Sequence, residues 1–196
     1  MKPTWNEHTR GLTRPILAAA LALLCFSQAR AQQGDLTPPK VEVKATFGAA
    51  GFGDELSDPH VVAGGSARFY VTRRFSVEPE LLYMRDGEDD QDYLFTPNVA
   101  YDLSDPTRRV VPYVAGGVGV FHHRGRFFGN DFNTGQPRVF DTSSTTWAVT
   151  GGGGVKIFLN DRLFIAPDVR LGVIGRSEAT ARATVSLGYV ISGRSR

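Results

Sequence analysis

Apolar residues fall at every second position along most of this chain, in eight separate stretches. The first is Val41, Val43, Ala45, Phe47 and Ala49, alternating with Glu42, Lys44, Thr46 and Gly48. Successive side chains of an extended strand point to opposite faces, so the spacing predicts a strand with one apolar and one polar face. The pattern recurs at about Val61–Thr72, Phe75–Tyr83, Tyr93–Asp102, Val110–His122, Thr145–Leu159, Leu163–Val173 and Ala181–Ile191. Turn-forming residues break it at 53–60, 72–74, in the acidic loop at 86–91, at 104–109, 160–162 and 175–177. Residues 123–144 form the longest stretch without a pattern and are expected to be irregular. The expectation is an all-β fold of eight strands, each about ten to fourteen residues long. Connections after strands two, four and six are short or compact, and the one after strand five is the longest. Glycines leave the facing of strand five open.

One strand-turn-strand occurs twice at a constant offset of 88 residues. Gly64–Leu81 aligns with Gly152–Val169. Arg68 falls on Lys156, Thr72-Arg73-Arg74 on Asn160-Asp161-Arg162, Pro79 on Pro167 and Glu80 on Asp168. Two hairpins of one design indicate a meander of near-equivalent units. Their turns are expected at the same end of the molecule.

The N-terminal residues read as a leader. Arg10 and Arg14 precede an apolar run from Ile16 to Phe26, and Ala29-Arg30-Ala31 offers a small-residue cleavage site. That run is too short to span a bilayer as a helix, which needs about 20 apolar residues. Residues 1–31 are thus expected to be a signal peptide, 32–39 a linker, 40–192 the folded domain and 193–196 a tail. Lys2, Arg10, Arg14, Arg30 and Glu7 leave with the leader. Of 22 basic and 20 acidic residues, 18 and 19 remain, so the basic balance is no argument for nucleic-acid binding. Cys25 leaves too, and the remaining chain has no thiol for disulfides or metal.

Eight strands with short turns at one end suit a small closed barrel, and the composition of the polar faces predicts which way it is turned. A water-facing sheet carries long lysine and glutamate side chains. Here the polar face holds Gly64, Ser66, Thr150, Gly152, Gly154, Thr184, Ser186 and Gly188, which suit a cramped interior. Its charges are mixed: Glu42, Lys44, Arg68, Glu78, Glu80, Lys156, Asp168, Arg170 and Arg182. Buried charges need partners, so these nine are expected to pair across a lumen. The apolar faces would then meet lipid, as in a transmembrane barrel. Phe75, Tyr83, Tyr93, Tyr101, Trp147 and Tyr189 lie near strand ends, as interfacial aromatics do. Pro79, Pro97 and Pro167 sit inside strands, where β-bulges near the rims are expected to accommodate them.

The signal peptide, the hairpin Arg68–Leu81 and the glycine-rich segment Pro112-Tyr113-Val114-Ala115-Gly116-Gly117-Val118-Gly119 resemble the small outer-membrane β-barrel domain family, the group of OmpA-, OmpX- and OmpW-like barrels. The resemblance covers about residues 40–192. It implies an eight-stranded antiparallel up-and-down transmembrane β-barrel in the outer membrane of a Gram-negative-type cell. It also implies insertion by the barrel assembly machinery and contact with outer-membrane lipid and lipopolysaccharide. A monomer is expected.

Catalytic signals are weak. No Gly-x-Ser-x-Gly elbow is present, and the glycines before Lys156 lack the Gly-Lys-Ser/Thr ending of a phosphate loop. His122 and His123 are adjacent on a strand, so they point apart and do not chelate one ion together; no metal site, no catalytic residue and no cofactor is expected. The remaining signal is Arg124, Arg126, Phe127 and Phe128, expected on the surface loop after strand five, where they could contact lipopolysaccharide phosphates or a partner surface. The expectation is a non-enzymatic outer-membrane protein with a structural or surface-interaction role. Two alternatives stand beside it: a narrow pore or conduit for small molecules, and a soluble periplasmic lipocalin-like barrel with its apolar face inward.

Overall fold

The structure is a computed structural model and describes residues 37–53, 59–86, 90–130, 137–176 and 178–194. The expected signal peptide and most of the linker lie outside the described residues. Eight strands follow in order: β1 (Val41–Phe52), β2 (His60–Tyr70), β3 (Phe75–Asp86), β4 (Asp90–Asp102), β5 (Val110–Asn130), β6 (Pro137–Phe158), β7 (Leu163–Ile174) and β8 (Glu178–Ser192). Each pairs antiparallel with the next, and β8 returns to β1 to close the sheet. Among the described residues there is no helix.

The pairing register sets the size of the barrel. Following partners once round from Val41, through Phe69, Val77, Val99, Gly116, Gly151, Leu171 and Ala181, the path returns to β1 at Gly51, ten residues along. A stagger of that size over eight strands, with a rise of ~3.3 Å per residue and ~4.8 Å between strands, gives a tilt of about 40° and a radius of about 8 Å. A cylinder that narrow is filled by its own side chains.

The alternation decides what faces outward. Glu42 and Arg68 are fully buried, whereas Phe47 and Val185 are 61% and 54% exposed. Charges therefore line the interior and aliphatic residues the exterior, which is the reverse of a lipocalin-like barrel and removes that alternative. Tyr83 and Tyr93 pair on the outside near one end, and Phe75 and Tyr101 pair on the outside near the other. The eight residue steps from Tyr93 to Tyr101 span about 20 Å along the barrel axis, close to the ~25 Å apolar band of outer-membrane barrels.

Three expectations are corrected. First, residues 123–130 and 137–144 are not irregular, the rest of that stretch lying outside the described residues: β5 and β6 run 21 and 22 residues and stay paired out to Asn130↔Pro137. Continuous in-register pairing overrides the glycines and the proline there. Beyond Asp90↔Gly125 on one side and Ala148↔Ile174 on the other, these two strands pair only with each other among the described residues. The hairpin thus projects about 17 Å along β5, at ~3.3 Å per residue. It, rather than loop length, distinguishes the two ends. Second, the described residues of the acidic stretch 86–91 are strand, since β3 ends at Asp86 and β4 starts at Asp90. Third, no bulge accompanies the prolines. Pro79 and Pro97 stand opposite each other in register, and the register shift in the ladders lies instead at Val41/Glu42. The ladder is interrupted on one side of each proline, facing Ala67, Val118 and Val155, where the missing N–H would have bonded.

Strand five is now oriented. Val111, Tyr113, Ala115 and Phe121 are buried inside, and Val114, Val118 and Val120 are exposed outside. The turns after β2, β4 and β6 and both described chain termini lie at one end, here the turn end. Lys40 N donates to Ser192 O at 2.7 Å and Val190 N to Arg162 O at 2.8 Å. The other end is the loop end.

Candidate functional site

The lumen is layered. At the turn end Val111, Phe158, Phe164, Ala166 and Val190 pack together. Gly188 makes room for the Phe164 ring, which occupies the place a Cβ would take. Below this layer the chain closes over the opening: Arg194 is 3% exposed, its guanidinium lies 3.3 Å from the Phe158 ring centroid, and it donates to the carbonyls of Pro106 and Arg108. Burial pushes the Arg194 guanidinium down from its ordinary value, opposed by Glu42. At the loop end Ala50, Val62, Leu82, Met84, Leu94, Phe121, Ala148 and Ile174 form a second apolar layer.

Between the layers lie the charges. The structure places all nine residues named from the sequence inside the barrel and adds Asp102, making five carboxylates and five cations. Arg68 bonds Glu78 through Nε and reaches Asp102 Oδ1 at 3.3 Å. Lys44 takes the other oxygen of Glu78, which also accepts from Ser66 Oγ at 2.8 Å. Lys156 Nζ lies 2.9 Å from Asp102 Oδ2 and 3.3 Å from Glu42 Oε1. The Tyr70 hydroxyl joins this group, 2.8 Å from Asp102 Oδ2 and 3.1 Å from Glu42 Oε1, and accepts from Lys156. On the other side Arg182 bonds Glu80 at 3.0 Å and Arg170 bonds Asp168 at 3.0 Å. Asn98 Oδ1 accepts from Arg170 at 2.9 Å, and Tyr113 donates to Asp168 at 2.8 Å. The Tyr113 ring sits 4.6 Å from the Arg68 guanidinium and links the two halves.

The repeated hairpin has its counterpart here. Arg68 and Lys156 occupy equivalent positions in the two copies and share Asp102. Glu80 and Asp168, also equivalent, share Arg170. Asp102 was legible as a polar-face residue but stood outside the expected network, because it ends its strand beside a turn. Tyr113 was hidden by the ambiguous facing of strand five. A cavity of about 20 Å³ lies against Arg170, Arg182 and Thr150 under the loop-end layer, the volume of about one water molecule.

On the outer face, Arg124 lies on β5 at the rim, opposite Gln91 of β4, and Arg126 lies on the projecting part of β5, so neither is on a loop. Arg126 pairs with Asp141 at 2.9 Å across the hairpin. Both line a surface concavity of about 450 Å³ with Gln91, Thr142 and Ser143. The backbones of Phe127 and Phe128 pair with Phe140 and Val139, and their side chains lie outside the described residues. His122 and His123 do point apart: His122 Nδ1 lies 2.8 Å from Thr145 Oγ1 outside, and His123 Nδ1 lies 2.8 Å from Asp92 Oδ1 inside.

The sequence profile of the outer membrane protein β-barrel domain matches residues 18–190. The chain belongs to this family. It is accordingly an outer-membrane protein that crosses the membrane with its strands. Solved structures agree in fold. The N-terminal β-barrel domain of Pseudomonas aeruginosa OprF is 16% identical, with TM-score 0.56, over 78% of this chain and 98% of that one. Neisserial surface protein A (NspA) is 14% identical, with TM-score 0.58, over 77% and 97%. Ail, the attachment invasion locus protein of Yersinia pestis, is 11% identical, with TM-score 0.55, over 78% and 98%; another structure holds Ail in complex with the heparin analogue sucrose octasulfate. Among curated proteins no sequence matches this chain.

Proposed function

We propose that this protein is a non-enzymatic outer-membrane barrel whose lumen is a rigid plug and whose work is done at its loop end, by contact between the β5–β6 hairpin and an anionic surface. The carrying observation is that the interior is closed by two apolar layers and a balanced charge network, while among the described residues the β5–β6 hairpin stands clear of the barrel. A plugged lumen leaves the rim as the place where partners can be met. Arg124 and Arg126 supply donors for phosphate or sulfate, which guanidinium groups bind through paired N–H bonds. The complex of Ail with a sulfated sugar is a case of polyanion binding on a barrel of this fold. Lipopolysaccharide phosphates, next to the barrel in its own membrane, are the first candidates. Insertion by the barrel assembly machinery as a monomer, turn end toward the periplasm, completes the reading.

Two measurements test it. In planar bilayers the protein should show no discrete conductance; stepwise openings would favour the narrow-pore alternative. In co-sedimentation with lipopolysaccharide, Arg124→Ala/Arg126→Ala should weaken binding about tenfold or more, since charge-assisted hydrogen bonds contribute about 1.5–3 kcal/mol each. Unchanged binding would remove the hairpin from the role.

A further inference from the structure

The loop-end mouth holds a second polar cluster, separated from the lumen network by the apolar layer. His60 opens β2, Asp90 and Asp92 open β4, and His123 lies on β5 opposite Asp92. His60 Nε2 stands 3.7 Å from Asp90 Oδ2 and 3.7 Å from Asp92 Oδ2. His123 Nδ1 lies 2.8 Å from Asp92 Oδ1 and 3.3 Å from Asp90 Oδ1. The ligand atoms of His60, Asp90 and Asp92 all lie within 4.8 Å of one another.

Two features set this cluster apart. The lumen network balances five carboxylates with five lysines and arginines. Here Asp92 is only 2% exposed, and among the described residues the ion-pair partners of both aspartates are histidines alone. His60 is 9% exposed, and its Nδ1 has no hydrogen-bond partner among the described residues. Its Nε2 is aimed between two carboxylates at a distance too long for a hydrogen bond. Asp90 Oδ1 is also buried without a hydrogen bond. Buried polar groups are normally satisfied, so two carboxylates with only imidazoles beside them point to a missing partner of positive charge.

The spacing suits an ion. Tetrahedral coordination at ~2.0–2.2 Å separates neighbouring donors by about 3.3–3.6 Å, against 3.7 Å from His60 Nε2 to each carboxylate and at most 4.8 Å across the set, so a small inward turn of the side chains would close it on an ion. Imidazole nitrogen together with carboxylate oxygen suits zinc and its neighbours better than calcium or magnesium, which take oxygen donors. The oxygens are also divided: Asp92 turns Oδ2 to His60 and Oδ1 to His123, so one imidazole can ligate while the other orients the carboxylate. The Phe52 ring packs edge-on against His60, centroids 4.8 Å apart, and holds its plane.

We propose that His60, Asp90 and Asp92 bind a divalent transition-metal ion of the zinc class at the loop-end mouth, with His123 positioning Asp92. The ion would tie β2 to β4 across β3 and neutralise the two aspartates. The sequence concealed the site because its residues come from three strands and two stretches that read as loops.

The test is titration of the folded full chain in detergent micelles with ZnCl2 by calorimetry and with CoCl2 by visible absorption. One ion per chain is expected, with Co²⁺ giving the ligand-field bands of a low-coordinate site. His60→Ala and Asp92→Asn should abolish both signals. His123→Ala should weaken affinity about 10–100-fold at the same stoichiometry. Asp141→Asn, on the hairpin outside the cluster, should bind as the wild type. Heat-dependent gel migration checks that each variant is folded; should His60→Ala fail to fold, the half-exposed Asp90→Asn replaces it with the same expected loss. No binding by the wild type overturns the proposal, and so does wild-type affinity in the folded ligand variants.

Discussion

Replacing Arg68 by methionine isolates the value of charge balance in the lumen. Arg68 is fully buried, bonds Glu78, reaches Asp102 and lies over Tyr113. Methionine keeps much of the aliphatic volume and removes the charge, leaving five carboxylates against four cations. Removing one partner of a buried pair costs about 3–5 kcal/mol, because the charge left behind has lost its compensation. With a urea slope of ~1–3 kcal/mol per molar, the unfolding midpoint falls by about 1 M or more. Asp102→Asn in the same chain restores four against four, and Lys156 keeps Glu42 as its partner. The double variant should therefore recover most of the loss, a coupling that a simple packing defect would not show. Trp147, outward-facing and 48% exposed, reports the transition by fluorescence in lipid vesicles when the chain is prepared without residues 1–31, which carry Trp5. Equal stability of wild type and Arg68→Met, or a double variant no better than the single, would refute the argument from charge balance.

Three further perturbations probe other parts of the barrel. Gly188→Ala places a methyl group inside the Phe164 ring and should destabilise by about 1–3 kcal/mol, seen as a lower urea midpoint; Gly53→Ala, at a loop glycine with open space around it, is the contrast for backbone strain alone. Val169→Arg puts a charge at the middle of the lipid-facing surface of β7, where Val169 is 58% exposed, and should cost about 2–4 kcal/mol in bilayers. Asp105→Asn tests the turn end. Burial raises the Asp105 carboxyl, but hydrogen bonds from Thr107 and the Arg73 charge outweigh it and hold it below its ordinary value of 3.8. A depressed carboxyl stabilises above its unfolded pKa and loses that contribution as pH falls through its folded value. The difference between wild type and Asp105→Asn should then be below about 1 kcal/mol at pH 7, given the exposed Arg73, and should shrink below about pH 4.

Why some of this was legible in the sequence and some not follows from the range of each signal. Period two is local, so Val41 to Ala49 and Leu163 to Val173 declare strand, inner face and outer face without any knowledge of neighbours. The balance of Arg and Glu with Gly and Ser on one face also survives as composition, which is why the interior of the barrel was readable. Strand five failed because Gly116, Gly117 and Gly119 carry no facing signal; only pairing with β4 and β6 turns Tyr113 inward. The projecting hairpin failed for a related reason. Among the described residues, 126–130 and 137–141 have a sheet partner only in each other, so no neighbouring strand imposes alternation and their Gly, Asn and Pro read as loop. The mouth cluster is the extreme case. His60, Asp92 and His123 meet only because a ten-residue stagger winds three strands past one another, and no window along the chain contains that stagger. Function on a barrel of this kind is therefore expected where the periodic signal stops, at the rim, while the periodic part builds the support.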